Sequence, residues 1–576
     1  MDSLAGMNDK ASLIWNIADS IINVYKPGEY GKVILPMTVL KRFDDVLSDT
    51  KEKVVEKATK LPETMSKRDL LLKEVAGHNF YNTSKYDFKK LLAEPDNIDE
   101  NFKNYLAGFS DNAKDIIENF RFEEQIDRMN KGGVLYQVIQ EFNSPKADLS
   151  PDKVSNIQMG AIFEEIIRRF SESSNEDAGQ HYTPREVIEL MVNLVFSNDE
   201  DLAETGKIKT IYDGACGTGG MLTASEEYIK KINKSAKVVC YGEEMNPETY
   251  AICKADMLIK SNTDDTAVDN IVLGNTLSHD AFSGQTFDYI IMNPPFGLPW
   301  KNEKSAVEAE AKKGFEGRFG AGTPAISDSQ LLFLENAVSK MTPKEKGGGK
   351  VAIIHNGSAL FKGDAGSGES EIRRYIVEHD LLDAIIQLPN DIFYNTGIST
   401  YIWILDNNKP EYRKGKIQLI DASKCYKQRR KSLGSKRNDL NNIDYITKVY
   451  GEFKENEISK IHNNEYFLYR KETTIVPKLD ENGNAIKGKF ETDTETIPYE
   501  KDIDEYMKEE VLPYSPEAKI DKKKEKIGCE IPFTKEFYKY VPPRSTEEIM
   551  KDIKETDKEL DEILKELVKN AQKNER

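Results

Sequence analysis

Phe287-Asp288-Tyr289-Ile290-Ile291-Met292-Asn293-Pro294-Pro295-Phe296 is a short apolar run that stops at two prolines and an aromatic. The run reads as a buried strand. Proline has no N–H to continue a ladder, so the sheet must stop here. Pro294 holds Asn293 extended, and Pro295 does the same to Pro294. The stiff tip presents one side-chain amide, one backbone carbonyl and one aromatic ring. The Asn293 side-chain oxygen and the Pro294 carbonyl are both acceptors, a pair suited to a planar amino group with two N–H donors. Such a nitrogen is a poor nucleophile because its lone pair is delocalised. Two acceptors would polarise and position it with no strong base. Phe296 offers a face for a flat ring. The same tetrapeptide also suits a plain strand-ending turn, with Asn293 capping the backbone and Phe296 packed inward.

The residues upstream weigh between these readings. Ile208 to Met221 (IKTIYDGACGTGGM) reads as a strand, a Gly-rich turn and the start of a helix. Such a turn lets backbone approach a ligand and points helix N–H groups at it. Its spacing, G-x-x-G-x-G-G, is not that of the dinucleotide fingerprint. The next strand, Val238 to Glu244, ends in an acid placed to accept hydrogen bonds from ribose hydroxyls. Asn246-Pro247 then opens a helix, so helix capping is the plainer reading of that corner. The strand Asn270 to Gly274 leads to Asn275. These candidates share one address, the carboxyl ends of successive strands, where open α/β sheets bind ligands.

The pair Asp213–Gly220 and Asn293–Phe296 resembles the amino-group methyltransferases that use S-adenosyl-L-methionine. Gly179 to Val187 (GQHYTPREV) sharpens this towards the methylation (modification) subunit of Type I restriction-modification systems. Met159 to Glu164, Gly349 to Ile354, Leu388 to Ile398 and Ile531 to Tyr538 resemble that family too, in its order. The resemblance implies an α/β fold: a doubly wound, seven-stranded S-adenosyl-L-methionine-dependent methyltransferase sheet, with an all-α N-terminal domain and a C-terminal helical tail. It implies that Gln180, His181, Tyr182, Thr183, Pro184 and Arg185 enclose the cofactor with Asp213, Gly214, Gly217, Thr218, Gly219 and Gly220. Glu244, rather than Glu243, matches the ribose-binding acid, and Asn275 stands where the family often has an Asp that meets the adenine of the cofactor. On the same resemblance, Asn293, Pro294, Pro295 and Phe296 would form the catalytic tip and hold the N6 amino group of a flipped adenine. Neither a metal nor a covalent enzyme intermediate is needed. The cofactor motif precedes the catalytic one, as in the γ class. The implied partners are double-stranded DNA, a specificity (S) subunit, a second copy of this chain and a restriction/translocase (R) subunit.

At 576 residues the chain has length for two or three domains. It shows no signal peptide and no apolar run long enough for a membrane span, and a cytoplasmic location is expected. Five scattered cysteines (Cys216, Cys240, Cys253, Cys425, Cys529) include no C-x-x-C, so neither a zinc site nor a disulfide framework is expected. No G-x-x-x-x-G-K-[ST] marks an ATP-driven motor. The net charge of −18 is unlike that of an isolated DNA binder and fits a subunit whose specific DNA binding comes mostly from a partner. Two local exceptions are Lys424 to Arg437, with seven basic residues in fourteen, and the loop carrying Lys301, Lys304, Lys312, Lys313 and Arg318. Each suits phosphate contacts or a solvated basic surface.

Residues 1–150 read as helical, with Leu13, Ile14, Ile17 and Ile21, then Ile116, Ile117 and Phe120, at helical spacing. Residues 151–475 alternate strands and helices and form the catalytic domain. The polar loop 301–322 after the tip is expected to be mobile until DNA arrives. Residues 476–544 read as a polar connector. In 545–576, Ser545-Thr546-Glu547-Glu548 is a capping box, and Ile549, Ile553, Thr556, Leu560, Ile563 and Leu567 form a heptad seam for a partner helix. The function expected is N6-adenine DNA methylation in a Type I complex. The alternatives are another amino-group methyltransferase (cytosine N4, an RNA base or a protein glutamine) and a non-catalytic nucleic-acid-binding scaffold.

Overall fold

Strands that are apolar along their whole length need cover on both faces. In the computed structural model, β4 (Tyr289–Met292) and β7 (Thr400–Asp406) are buried at every residue. The structure describes residues 17–174, 183–196, 206, 208–261, 267–394, 396–479, 485–538 and 545–574. Besides β4 and β7, the main sheet contains β1 (Ile208–Asp213), β2 (Lys237–Glu244), β3 (Ile271–Leu273), β5 (Lys350–Asn356), β6 (Leu382–Gln387), β8 (Lys416–Asp421) and β11 (Ser459–Asn463). The order of its nine strands is β11-β8-β6-β7-β5-β4-β1-β2-β3. β1 to β5 run parallel, and β7 is antiparallel to β5 and β6. The expected seven strands are all present, and β8 and β11 extend the sheet beyond β6. Strand order reverses between β1 and β4, which makes the carboxyl edge at that junction the natural ligand site of such a sheet.

The helical N-terminus is built onto the sheet domain. One apolar cluster runs from Ile17 through the sheet to Tyr450. It includes Ile17, Ile21, Ile116, Ile117 and Phe120, as their spacing predicts; Leu13 and Ile14 lie outside the described residues. The helix Pro247–Lys260 packs on Asp111–Asn119 and on Gly31–Leu47. Lys254 pairs with Asp115 at 2.7 Å, and the Asn79 amide donates to Ser261 Oγ at 3.2 Å. Buried Arg42, on Gly31–Leu47, donates to the carbonyls of Leu149 and Val154 and to Asn156 Oδ1, clamping the passage into the sheet domain.

The stretch expected as a connector, 476–544, is folded over much of its length. β12 (Leu468–Leu479) and β13 (Ala485–Pro498) form a long antiparallel hairpin, and β14 (Lys519–Ile520) and β15 (Lys526–Cys529) pair with β12. Arg373 donates to the Cys529 carbonyl, and the Cys529 N–H donates to Ser370 Oγ, fixing β15 to the helix Gly368–Glu378. β13 is exposed over most of its length, and the face that β12 buries carries Glu472 and Thr474 beside Leu468, so polar and Thr residues fill strand positions that hydrophobicity does not mark.

The loop expected to be mobile, 301–322, carries the helix Lys304–Ala311. Arg318 is buried within it, bound to Glu310 and to the carbonyls of Thr276 and Leu277.

The chain divides into two compact units, Met1–Pro532 and Phe533–Arg576. Most of the second is the helix Thr546–Asn574. Its capping box is formed: the Glu548 N–H donates to Ser545 Oγ, and the Ser545 N–H donates to Glu548 Oε2. Ile549, Ile553, Leu560 and Ile563 are 44–55% exposed along it. No helix among the described residues is long and apolar enough to cross a membrane.

Candidate active site

A cavity of about 480 Å³ opens at the carboxyl ends of β1, β2, β3 and β4. Its volume lies in the usual range of small-molecule sites, about 300–1,000 Å³. Asp213, Gly214, Gly217, Thr218, Gly220, Glu244, Asn275, Asn293, Pro295 and Thr183 line it. The cavity thus brings together residues far apart in sequence, such as Thr183 and Asn293, 110 positions apart.

The Gly-rich turn after β1 is shaped by backbone. Gly217 (φ +53°) and Gly219 (φ +81°) take the left-handed conformation that side chains resist. A Cβ on Gly219 would also stand 2.7 Å from Cys253 Sγ. The turn is held across the sheet: Gly217 N–H donates to Glu244 Oε2 at 2.8 Å, and Cys216 N–H to the Glu243 carbonyl at 3.0 Å. Thr276 Oγ1 donates to the Gly214 carbonyl at 2.6 Å.

Glu244 and Glu243 take different surroundings. Glu244 lines the cavity and accepts one backbone N–H on each oxygen, from Gly217 and from Asn246 at 2.7 Å. Each oxygen keeps a further lone-pair site, enough for two hydroxyls. Glu243 points away and accepts from Tyr212 Oη at 2.7 Å, and burial raises its pKa. Asp213 is 2% exposed, and Oδ1 accepts from Ala215 N–H at 3.0 Å. Burial pushes its carboxyl up to about 7, and the neighbouring Glu244 adds to the shift. Asn275 also lines the cavity, but its Oδ1 accepts from the N–H groups of Leu277 and Ser278. Its amide nitrogen donates to Glu303 Oε1 at 2.8 Å, so the expected contact through its oxygen competes with a local turn.

At the tip, Asn293 Nδ2 donates to Thr183 Oγ1 at 2.9 Å. Asn293 Oδ1 is buried and has no hydrogen-bond partner among the described residues. A buried acceptor left unpaired costs about 1–3 kcal/mol, so such an atom at a cavity wall calls for a donor from outside the chain. Pro294 is buried, and Phe296 is half-buried against the main core, beside the cavity wall and not part of it. Beyond it, Gly297 N–H donates to Asp328 Oδ1 at 3.0 Å and Ser329 N–H to the Leu298 carbonyl at 3.0 Å. The tip is therefore moored at both ends.

Of the 180–185 segment, Gln180, His181 and Tyr182 lie outside the described residues. Thr183 reaches the tip, and Arg185 pairs with Glu164 at 3.3 Å. Glu164 lines the cavity and is 5% exposed, a candidate that motif reading did not single out although the stretch Met159 to Glu164 contains it. Met245, Leu298, Trp300, Glu303 and Phe333 also line the wall, and no motif marks them. All but Phe333, which lies on the helix Gln330–Ser339, arrive there by the path of the loops.

Comparisons with known proteins bear on the family and the fold. The family model described as N-6 DNA Methylase matches residues 155–481, and the HsdM N-terminal domain matches residues 10–142. The Type I restriction enzyme MjaIX methylase subunit of Methanocaldococcus jannaschii is 23% identical over 525 residues, 86% of this chain and 87% of that subunit. The MjaVII methylase subunit of the same organism is 28% identical over 378 residues, 64% of this chain and 61% of that subunit. In fold, the type I restriction-modification system methyltransferase subunit from Streptococcus thermophilus is similar, with a TM-score of 0.63 at 22% identity, covering 80% of this chain and 97% of that one. The first family model spans more than half of the chain and the second the helices ahead of it, so the chain belongs to the N-6 DNA methylase family, as a Type I restriction-modification methylase subunit.

Proposed function

We propose that this chain is an S-adenosyl-L-methionine-dependent, adenine-specific DNA methyltransferase acting on the N6 amino group of a flipped adenine. The observation that carries the reading is the buried, unpartnered Asn293 Oδ1 at the end of β4, opening on a cavity with a glycine cradle. The residues fit the cofactor. The turn 214–220 admits close backbone approach, Glu244 keeps acceptor sites for two ribose hydroxyls, and buried Asp213 offers a carboxylate to a cationic group. When bound, the cofactor supplies a methyl group made electrophilic by a cationic sulfur.

The chain's own residues do the positioning. Asn293 Oδ1 and the Pro294 carbonyl accept the two N–H groups of the amino nitrogen, and Phe296 stacks on the base. Thr183 holds the Asn293 amide so that its oxygen, not its nitrogen, faces the substrate. Held by these acceptors, the amino nitrogen would be presented to the methyl group that the cofactor supplies and would shed its extra proton to solvent. The acceptors localise the nitrogen lone pair and stabilise the charge that develops on the amine.

The working complex contains a specificity subunit, a second copy of this chain and a restriction/translocase subunit, and it acts on double-stranded DNA in the cytoplasm. The exposed apolar row on Thr546–Asn574 supports packing against helices of the specificity subunit.

Incubation with labelled S-adenosyl-L-methionine and DNA, with and without a specificity subunit, followed by nucleoside analysis, tests this. N6-methyladenine is the expected product. N4-methylcytosine, a labelled RNA base or a labelled protein would replace the adenine assignment, and no product under any condition would favour a non-catalytic scaffold. Asn293→Ala should lower kcat on the order of 10²-fold or more; full activity in that variant would overturn the mechanism.

A further inference from the structure

The function proposed above needs DNA to be held at the tip, yet the chain carries a net charge of −18. One element stands apart from that acidity. β9 (Tyr426–Leu433) and β10 (Lys436–Leu440) form an antiparallel ribbon after β8. Between Asp421 and Asp439 there is no acidic residue, and seven are Lys or Arg.

The structure separates the seven by what they do. Lys436 is a structural cation, 1% exposed at its side chain, paired with Glu186 and donating to the Ile392 carbonyl. Arg429 pairs with Asp439 across the ribbon. Lys424, Lys427, Arg430, Lys431 and Arg437 are exposed and make no ion pair among the described residues. The other basic stretch, 301–318, differs: Arg318 is buried against Glu310 and Lys304 faces Glu308 at 3.6 Å.

The ribbon also has a fixed place. β10 is laid against the segment after β6: Ser435 N–H donates to the Tyr394 carbonyl and Arg437 N–H to the Asp391 carbonyl, both at 2.8 Å. Asn438 Nδ2 donates to the Asn390 carbonyl at 3.0 Å. β9 is left as the outer strand, with β10 its sole ladder among the described residues. β8 is parallel to β6, and β6 is parallel through β7 to β5 and β4. The ribbon that follows β8 therefore rises from the same edge of the sheet as the Asn293 tip that follows β4. A short chain of contacts joins them: Lys436 to Glu186, then Thr183, three residues earlier, to Asn293.

An outer strand often carries charge to repel stray pairing, but either sign serves that purpose. A run of one sign, opposite to the sign of the molecule, on the edge where the reaction is placed, points to a polyanion. Alternate residues of β9 lie about 6.8 Å apart, twice the axial rise per phosphate of a DNA strand of about 3.4 Å. We propose that the ribbon 424–437 grips the phosphate backbone of the DNA duplex beside the base that enters the tip. This rests on the methyltransferase reading of that tip. Contacts of this kind position the duplex and carry no sequence information.

The test uses the full chain and a duplex of about 30 base pairs, with affinity followed by anisotropy from low to high salt. Each phosphate contact contributes about 0.9 to the slope of log affinity against log salt. The triple variant K427Q/R430Q/K431Q should flatten that slope by about 2 to 3 and weaken all duplex sequences alike, with cofactor affinity unchanged. The charge-matched variant K522Q/K523Q/K524Q should keep the wild-type slope. Equal flattening in both variants, an unchanged slope in the first, or no duplex binding by the wild-type chain at low salt would each overturn the proposal. So would a wild-type slope combined with lost binding to a specificity subunit, which would assign the ribbon to a protein partner. Failure of the methyltransferase reading shows separately, as absence of methylated nucleoside from a wild-type chain whose salt slope is still measurable.

Discussion

Asn293 illustrates how one atom can carry a functional argument. Its oxygen is buried without a partner, while its nitrogen is fixed by Thr183. Removing that hydroxyl frees the amide to turn, so Thr183→Val should lower kcat about tenfold or more, beyond any change in cofactor affinity at this cavity-lining residue. Turnover at saturating cofactor alongside a binding isotherm measures both; an unchanged kcat would show that Thr183 does not orient the amide. Asp213 makes a second prediction. Its carboxyl is pushed up to about 7 by burial, so in the free protein it holds a proton below that pH. The sign follows: stability from the protonated form is present at low pH and lost as pH rises through about 7. A cationic ligand beside Asp213 favours the carboxylate, so cofactor binding at pH 6–7 should release a proton and weaken as pH falls. Calorimetry in two buffers of different ionisation enthalpy reads that proton, and equal heats in both would contradict the prediction. The motif residues were legible because their chemistry is local. Glu164 was not, because only the packing of its helix against the cavity gives it a role.

At the scale of elements, the strand ends and the turns between them were legible for a physical reason. Proline stops a strand and glycine permits a left-handed turn, and both are written in residue type. Gly219→Ala tests this. At φ +81°, with a Cβ 2.7 Å from Cys253 Sγ, the substitution should cost about 1–3 kcal/mol and lower cofactor affinity tenfold or more. Thermal unfolding and a cofactor isotherm check the two effects; a variant indistinguishable from wild type in both would mean the cradle tolerates a side chain. The hairpin of β12 and β13 was not legible, because β13 is largely exposed and the buried positions of β12 include Glu472 and Thr474, which give no apolar period. Nor was the tethering of 301–322, which depends on Arg318 meeting the carbonyls of Thr276 and Leu277 far earlier in the chain.

For the whole molecule, the N-terminal helices and the sheet share one apolar cluster, so the described residues 17–150 pack within the same compact unit as the sheet. The boundary near 150 marks a change of element type and not a break in packing, as Arg42 spanning Leu149 to Asn156 makes clear. The terminal helix is different. It belongs to a separate compact unit, and its apolar row stays exposed. A chain ending before Ser545 should keep its cofactor affinity and unfolding midpoint but lose binding to a specificity subunit by tenfold or more. Size-exclusion chromatography of the mixed subunits reports the loss; retained association would place the partner surface elsewhere.

The amino-acid sequence by itself determined the chemistry available: a two-acceptor tip, a glycine turn, an acid at a strand end and a heptad helix. Each depends on neighbours within a few residues, where proline, glycine and carboxylate geometry act directly. The tertiary structure decided which of these groups face one cavity and which are consumed elsewhere. It turned Glu243 towards Tyr212 and Glu244 towards Gly217, engaged the Asn275 oxygen in its own turn, and left the Asn293 oxygen unpaired. The reason is that hydrogen-bond satisfaction is settled between distant segments, once the sheet has fixed where each strand ends.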